Sequence, residues 1–185
     1  MSARDDGWQA AIDRMLTDYE GRGWTCDRLE PPARRTGRGR VETKAGLPDY
    51  RVLKPPWSVL FEAKHHTQQP GANLRVPLQM VKCHQAVAFE RHQRNPDADV
   101  RGVAGVLYRV RTLSDALHVF WVPWDALRLS WSLCMGRRDA GVPAPRGSAS
   151  LGLRELLALS GGAWEGTDLA WCPDFLPAVL ADARA

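Results

Sequence analysis

Three side chains in the first third of this chain have the types and spacing that metal-assisted hydrolysis of a phosphodiester requires: Asp49, Glu62 and Lys64. Asp49 lies in Gly46-Leu47-Pro48-Asp49-Tyr50, and the other two in Phe61-Glu62-Ala63-Lys64. Two carboxylates can hold a hard cation such as Mg²⁺, which keeps waters of its own and takes a phosphate oxygen. The cation polarises the phosphate and makes a bound water a better nucleophile. A lysine beside it can orient that water or stabilise charge developing on the phosphorane. A plainer reading stands next to this one. Glu-x-Lys is frequent on exposed strands, where it forms a solvated ion pair.

The elements around these residues favour convergence. Val52 and Leu53 run into Lys54-Pro55-Pro56, a turn signal, and residues 58–61 form a second β-prone run. A β-hairpin results. Side chains alternate along a strand, so Glu62 and Lys64 share a face, and the hairpin returns Asp49 beside them. Upstream, Trp8, Ala11, Ile12, Met15, Leu16 and Tyr19 recur at helical spacing, which predicts a helix over 7–21 ended by Gly21 and Gly23.

Between helix and hairpin the composition changes. Pro31 and Pro32 break regular structure, and Arg34, Arg35, Arg38 and Arg40 follow among glycines, with Lys44 beyond. Residues 25–47 thus form a basic arm, either a solvated linker or a segment that approaches phosphates from several directions.

After Lys64 a polar loop is expected over 65–73. His65 and His66, with Cys83 and His84, match no zinc-ligand spacing. A second helix is expected to open at Pro77 and end near His92, with Leu78, Val81, Ala88 and Phe89 as its apolar stripe. Gln85 falls on that stripe, so its amide either ties up backbone or reaches a polar site. Residues 102–110 and 117–122 read as strands around a turn at 112–115. Nearly continuous apolar character over 103–107 marks a central strand buried on both faces. Helices are predicted at 124–135 and 151–159, with a loop over 136–150 and an irregular tail.

The chain of 185 residues suits a single domain spanning 1–185, and 44% hydrophobic content excludes wholesale disorder. Net charge is +4 and the isoelectric point about 9.1, too mild to name nucleic acid as partner without the clustering. No run of about 18 apolar residues occurs, and the N-terminus lacks an apolar signal core. The expectation is an intracellular, cytoplasmic protein with no membrane partner. Its four cysteines, in no Cys-x-x-Cys pair, should be reduced thiols.

Pro48-Asp49 with Glu62-Ala63-Lys64 resembles the PD-(D/E)XK nuclease signature. More specifically, Asp49-Tyr50, Phe61-Glu62-Ala63-Lys64, Val76-Pro77-Leu78 and His84-Gln85 resemble, in that order, the RecU-type Holliday-junction resolvases. The resemblance covers roughly residues 7–160 and loosens after Arg138. It implies an α/β protein with a restriction-endonuclease-like core: a mixed central β-sheet flanked by helices, with a projecting basic stalk. It further implies a Mg²⁺-dependent homodimer, with Mn²⁺ as a substitute, that binds four-way DNA junctions and nicks two opposed strands in recombination and repair. Such a protein is nucleoid-associated and is encoded by a cell or a phage. Asp49, Glu62 and the Ala63 carbonyl become metal ligands, Lys64 the catalytic lysine, and Gln85 the family's glutamine. Arg34, Arg35, Arg38, Arg40 and Lys44 become DNA contacts. The chain departs from the family at its first helix, where Gln9 stands in place of a glutamate facing the site. Asp13, one turn along, is a candidate substitute. Two other functions fit the same residues: a restriction-type or repair nuclease of the superfamily, and a junction-binding protein with weak or no catalysis.

Overall fold

The computed structural model describes residues 6–29, 33–35, 41–43, 48–70, 73–94, 100–139, 149–166, 168 and 171–183. The amphipathic pattern near the N-terminus forms helix α1 (Asp6–Gly21). Gly23, with φ 80°, turns the chain after it in a backbone conformation that L side chains rarely adopt. Strand β1 (Thr25–Arg28) follows, then the short strands β2 (Ala33–Arg35) and β3 (Val41–Thr43). The predicted hairpin is β4 (Tyr50–Lys54) and β5 (Trp57–Thr67), turning at Pro55-Pro56.

Beyond it come β6 (Arg75–Pro77), a 3-10 turn (Leu78–Met80), α2 (Cys83–Gln93), β7 (Arg101–Arg111) and β8 (Leu117–Pro123). The chain continues through α3 (Trp124–Asp139), β9 (Ser150–Gly152), α4 (Leu153–Leu159), β10 (Gly162–Gly166) and α5 (Leu176–Asp182).

Six strands make one mixed sheet in the order β1-β4-β5-β7-β8-β10. Strands β5 and β7 are parallel and every other neighbouring pair is antiparallel. A parallel pair needs a long crossover, and the stretch containing α2 supplies it. Alternation along the central strands builds two cores. Val59, Phe61, Leu107, Val119 and Trp121 face Trp8, Ile12 and Tyr19 of α1 and Leu176 and Val179 of α5. Leu60, Val106, Tyr108, Phe120 and Val122 face Ala86 and Phe89 of α2, Trp124 and Leu127 of α3, and Leu156 of α4. The protein is therefore α/β, a mixed six-stranded sheet with helices on both faces.

Several boundaries differ from expectation. Residues 25–28, expected to belong to the arm, are part of the sheet, because β1 pairs with β4. The helix expected from Pro77 begins at Cys83 instead. Val76 and Pro77 pair with Leu151 and Ser150 in a separate two-stranded sheet, and this long-range pairing holds the backbone extended. The first three residues of the loop expected over 65–73 are instead the end of β5, which follows β7 to Thr67. The tail expected to be irregular over 171–177 is so through Phe175, and its last two residues open α5. No helix among the described residues is long and apolar enough to cross a membrane.

Candidate active site

The site forms where one strand outlasts its neighbour. The β4–β5 pairing stops at Tyr50 opposite Phe61, while β5 continues along β7. Past that point β5 has lost its antiparallel partner, and side chains take over its backbone groups. The Ala63 N–H donates to Asp49 Oδ2 (3.1 Å), and the Asp49 N–H donates to Glu62 Oε2 (3.1 Å). The Asp49 carbonyl in turn accepts the Leu29 N–H (2.8 Å). In a strand the N–H and C=O of one residue point to the same side. The Ala63 carbonyl therefore points into the gap that holds the Asp49 carboxylate. Asp49 and Glu62 converge, as expected from the hairpin, and this carbonyl joins them.

Glu62 is almost fully buried at 2% exposure. It lies on the α2 side of β5, in the same alternation as Leu60 and Lys64. The Lys64 ammonium pairs with its Oε1, and the Gln85 side chain is hydrogen-bonded to it as well. Gln85 is itself buried, and its Oε1 accepts the Lys82 N–H (2.9 Å) at the start of α2. Its amide thus caps a helix and reaches the carboxylate at once, which answers both alternatives for this residue. Burial pushes the Glu62 carboxyl up to about 7; Lys64 opposes that push, Asp49 adds to it, and the bond from Gln85 pulls it back slightly. A carboxylate so starved of solvation gains from any further positive charge placed beside it.

Tyr108 was not singled out by the sequence. It stands opposite Lys64 in the parallel β5–β7 register and is fully buried. Its hydroxyl has no hydrogen-bond partner among the described residues. Burial raises the phenol well above its ordinary range, and the nearby Glu62 charge adds to this. A polar atom on the otherwise apolar α2-facing side of a central strand is the signal that could have found it.

Gln9 and Asp13 occupy the other side of the sheet, with α1. The Gln9 amide donates to the Tyr50 hydroxyl, and the Tyr50 ring stacks on Phe61 at 5.0 Å. Burial raises the Tyr50 hydroxyl, Asp13 and Asp49 add to that, and Arg28 opposes them. Asp13 also pairs with Arg28 at 3.5 Å. Gln9 and Asp13 therefore gather around Tyr50, the neighbour of Asp49, rather than around Glu62.

His65 is engaged elsewhere. Arg109 Nε donates to His65 Nδ1 (3.0 Å), so His65 Nε2 carries the proton and donates to Thr67 Oγ1 (3.1 Å). Arg109 is buried with its guanidinium 4.8 Å from the Trp8 ring centre. Among the described residues no three or more His, Cys, Asp or Glu side chains gather in a metal-binding group. Two carboxylates with a backbone carbonyl suit an oxygen-loving cation that keeps several waters, as Mg²⁺ does, and not zinc.

Of the basic residues, Arg34 and Arg35 belong to β2, opposite Glu42 and Val41 of β3. Arg38, Arg40 and Lys44 lie outside the described residues. No protein-family model matches the chain, and no curated protein matches it.

Proposed function

We propose that this chain is a Mg²⁺-dependent endodeoxyribonuclease that nicks opposed strands of four-way DNA junctions, a resolvase of the RecU type on a restriction-endonuclease-like core. One observation carries the reading: Asp49, Glu62 and the Ala63 carbonyl converge where β5 outlasts β4, with Lys64 on the buried carboxylate. The mixed sheet, the hairpin and the α2 crossover agree with such a core. Asp49, Glu62 and the Ala63 carbonyl would hold the cation, Mg²⁺ or in its place Mn²⁺, which polarises the phosphate and acidifies the attacking water. Lys64 stabilises the developing negative charge and orients the water. Gln85, anchored on Lys82, fixes the Glu62 carboxylate. The arm carrying Arg34, Arg35, Arg38, Arg40 and Lys44 binds backbone phosphates, a sequence-independent contact suited to recognising shape. Two symmetric nicks require two sites, hence a homodimer, acting in the cytoplasm on nucleoid DNA.

Gln9 favours a second reading. Where the resembled family has a glutamate this chain has a neutral amide, which fits a junction-binding protein with weak catalysis. A nicking assay on a synthetic four-way junction and on linear duplex, with Mg²⁺ or Mn²⁺, separates the readings. Paired nicks confined to the junction are expected. Binding without cleavage would leave the binding protein, and equal cleavage of linear duplex would leave another nuclease of the superfamily.

A further inference from the structure

Lys64 and Tyr108 face each other across the parallel β5–β7 pair, at the strand spacing of about 4.8 Å. Both side chains rise on the α2 side, where Tyr108 packs with Val106 and Val110. Lys64 is mostly buried, its side chain 16% exposed, and its ammonium is paired with Glu62 Oε1. The Tyr108 hydroxyl is buried without a partner among the described residues, close enough to Glu62 to feel its charge. Phenylalanine would fill the same space without burying an unsatisfied hydroxyl, which is costly. The hydroxyl therefore calls for a use, and its neighbours suggest one.

We propose that Tyr108 is a positioning residue for Lys64: its hydroxyl accepts the ammonium when Glu62 turns its oxygens to a divalent cation. This rests on reading Asp49 and Glu62 as cation ligands. In the metal-free arrangement Glu62 already has Lys64 on Oε1, the Asp49 N–H on Oε2 and Gln85 besides. A cation on Glu62 competes with the ammonium for the same oxygens and repels it. A buried ammonium that loses its acceptor must find another, and the phenol oxygen opposite it is a neutral acceptor. Lys64 then stays beside the site, aimed by a strand-borne side chain, instead of leaving for solvent.

The test is Tyr108→Phe in parent and Lys64→Met backgrounds, read by calorimetric Mg²⁺ affinity and by melting temperature without metal. With Lys64 present, Tyr108→Phe is expected to weaken Mg²⁺ binding on the order of tenfold, about one hydrogen bond to a charged group. It should leave metal-free melting unchanged or higher, because an unsatisfied hydroxyl is gone. In the Lys64→Met background the same change should leave Mg²⁺ affinity as it is. Unchanged affinity in the parent background, or an equal loss in both, overturns the proposal. Asp49→Asn separates this from failure of the underlying reading. If Asp49→Asn leaves Mg²⁺ binding intact, or the parent binds none, the ligand assignment falls and the role of Tyr108 falls with it.

Discussion

Glu62→Gln should make the metal-free protein more stable above neutral pH. The Glu62 carboxyl is held at about 7 in the folded chain, against an ordinary 4.5. A carboxyl raised by folding contributes stability that is fully present below the unfolded value and is lost as pH rises through the folded one. Once both states are ionised the loss reaches roughly 3 kcal/mol, at about 1.4 kcal/mol per pH unit of difference. For a chain of this length that corresponds to roughly 6–12 °C in melting temperature. Glutamine cannot ionise, so the variant should escape this loss. His66 and His92, both held low by burial, act in the opposite direction: their stability is lost as pH falls through their lowered values. They are common to both proteins and cancel in the difference. Thermal melts in a metal chelator from about pH 5 to about pH 8.5 should show the Glu62→Gln advantage opening as pH rises. Adding Mg²⁺ at the upper end should raise the parent's melting temperature by offsetting the buried charge, and should do little for the variant. Parallel melting curves across the whole range would show that Glu62 is not the strained group its burial implies.

Asp49→Asn should reduce junction cleavage by at least about a hundredfold while leaving junction binding within about threefold, measured by nicking and by gel shift. Replacing Arg34, Arg35, Arg38 and Arg40 together with alanine should flatten the salt dependence of junction binding by roughly 0.9 log–log units per lost phosphate contact. An unchanged slope would make the arm a linker. Gly105→Ala should destabilise the fold by roughly 1–3 kcal/mol in denaturant melts, because a Cβ there would lie 2.6 Å from Trp121 ring atoms and 2.7 Å from the Val122 carbonyl oxygen.

What was legible in the sequence was local. The hairpin could be read because Pro55-Pro56 interrupts two β-prone runs, and β7 because its apolar run is nearly unbroken. Gln85 could be read as a residue reaching inward because it interrupts an apolar stripe. Elements set by distant pairing escaped. Strand β1 has no apolar alternation of its own and exists through β4. Val76-Pro77 is held extended by Leu151 and Ser150, on a segment far along the chain. Helix α5 carried its own mark, a proline in its first turn, yet it is short and its place depends on Phe175, Leu176 and Val179 packing against α1. Tyr108 could be placed on a buried strand, but its relation to Lys64 required the β5–β7 register.

The register also shows where a neutral Gln9 stands relative to the proposed site. The sheet separates two polar groups. Glu62, Lys64, Gln85 and Tyr108 lie on the α2 side, while Gln9, Asp13 and Arg28 surround the Tyr50 hydroxyl on the α1 side. Asp49 touches both, bonding Ala63 and Glu62 directly and standing next to Tyr50 in the chain. A glutamate at position 9 would bring a third carboxylate to a hydroxyl already near Asp13 and Asp49, where like charges raise one another's pKa. A neutral amide donor avoids that repulsion and still anchors Tyr50, whose ring fixes Phe61 by stacking. Phe61 is the residue before Glu62, so the amide holds the β5 backbone at the point where the paired strand ends. On this geometry Gln9 contributes position, and in the proposed site the charge would be left to Asp49 and Glu62, whose two carboxylates would match one divalent cation.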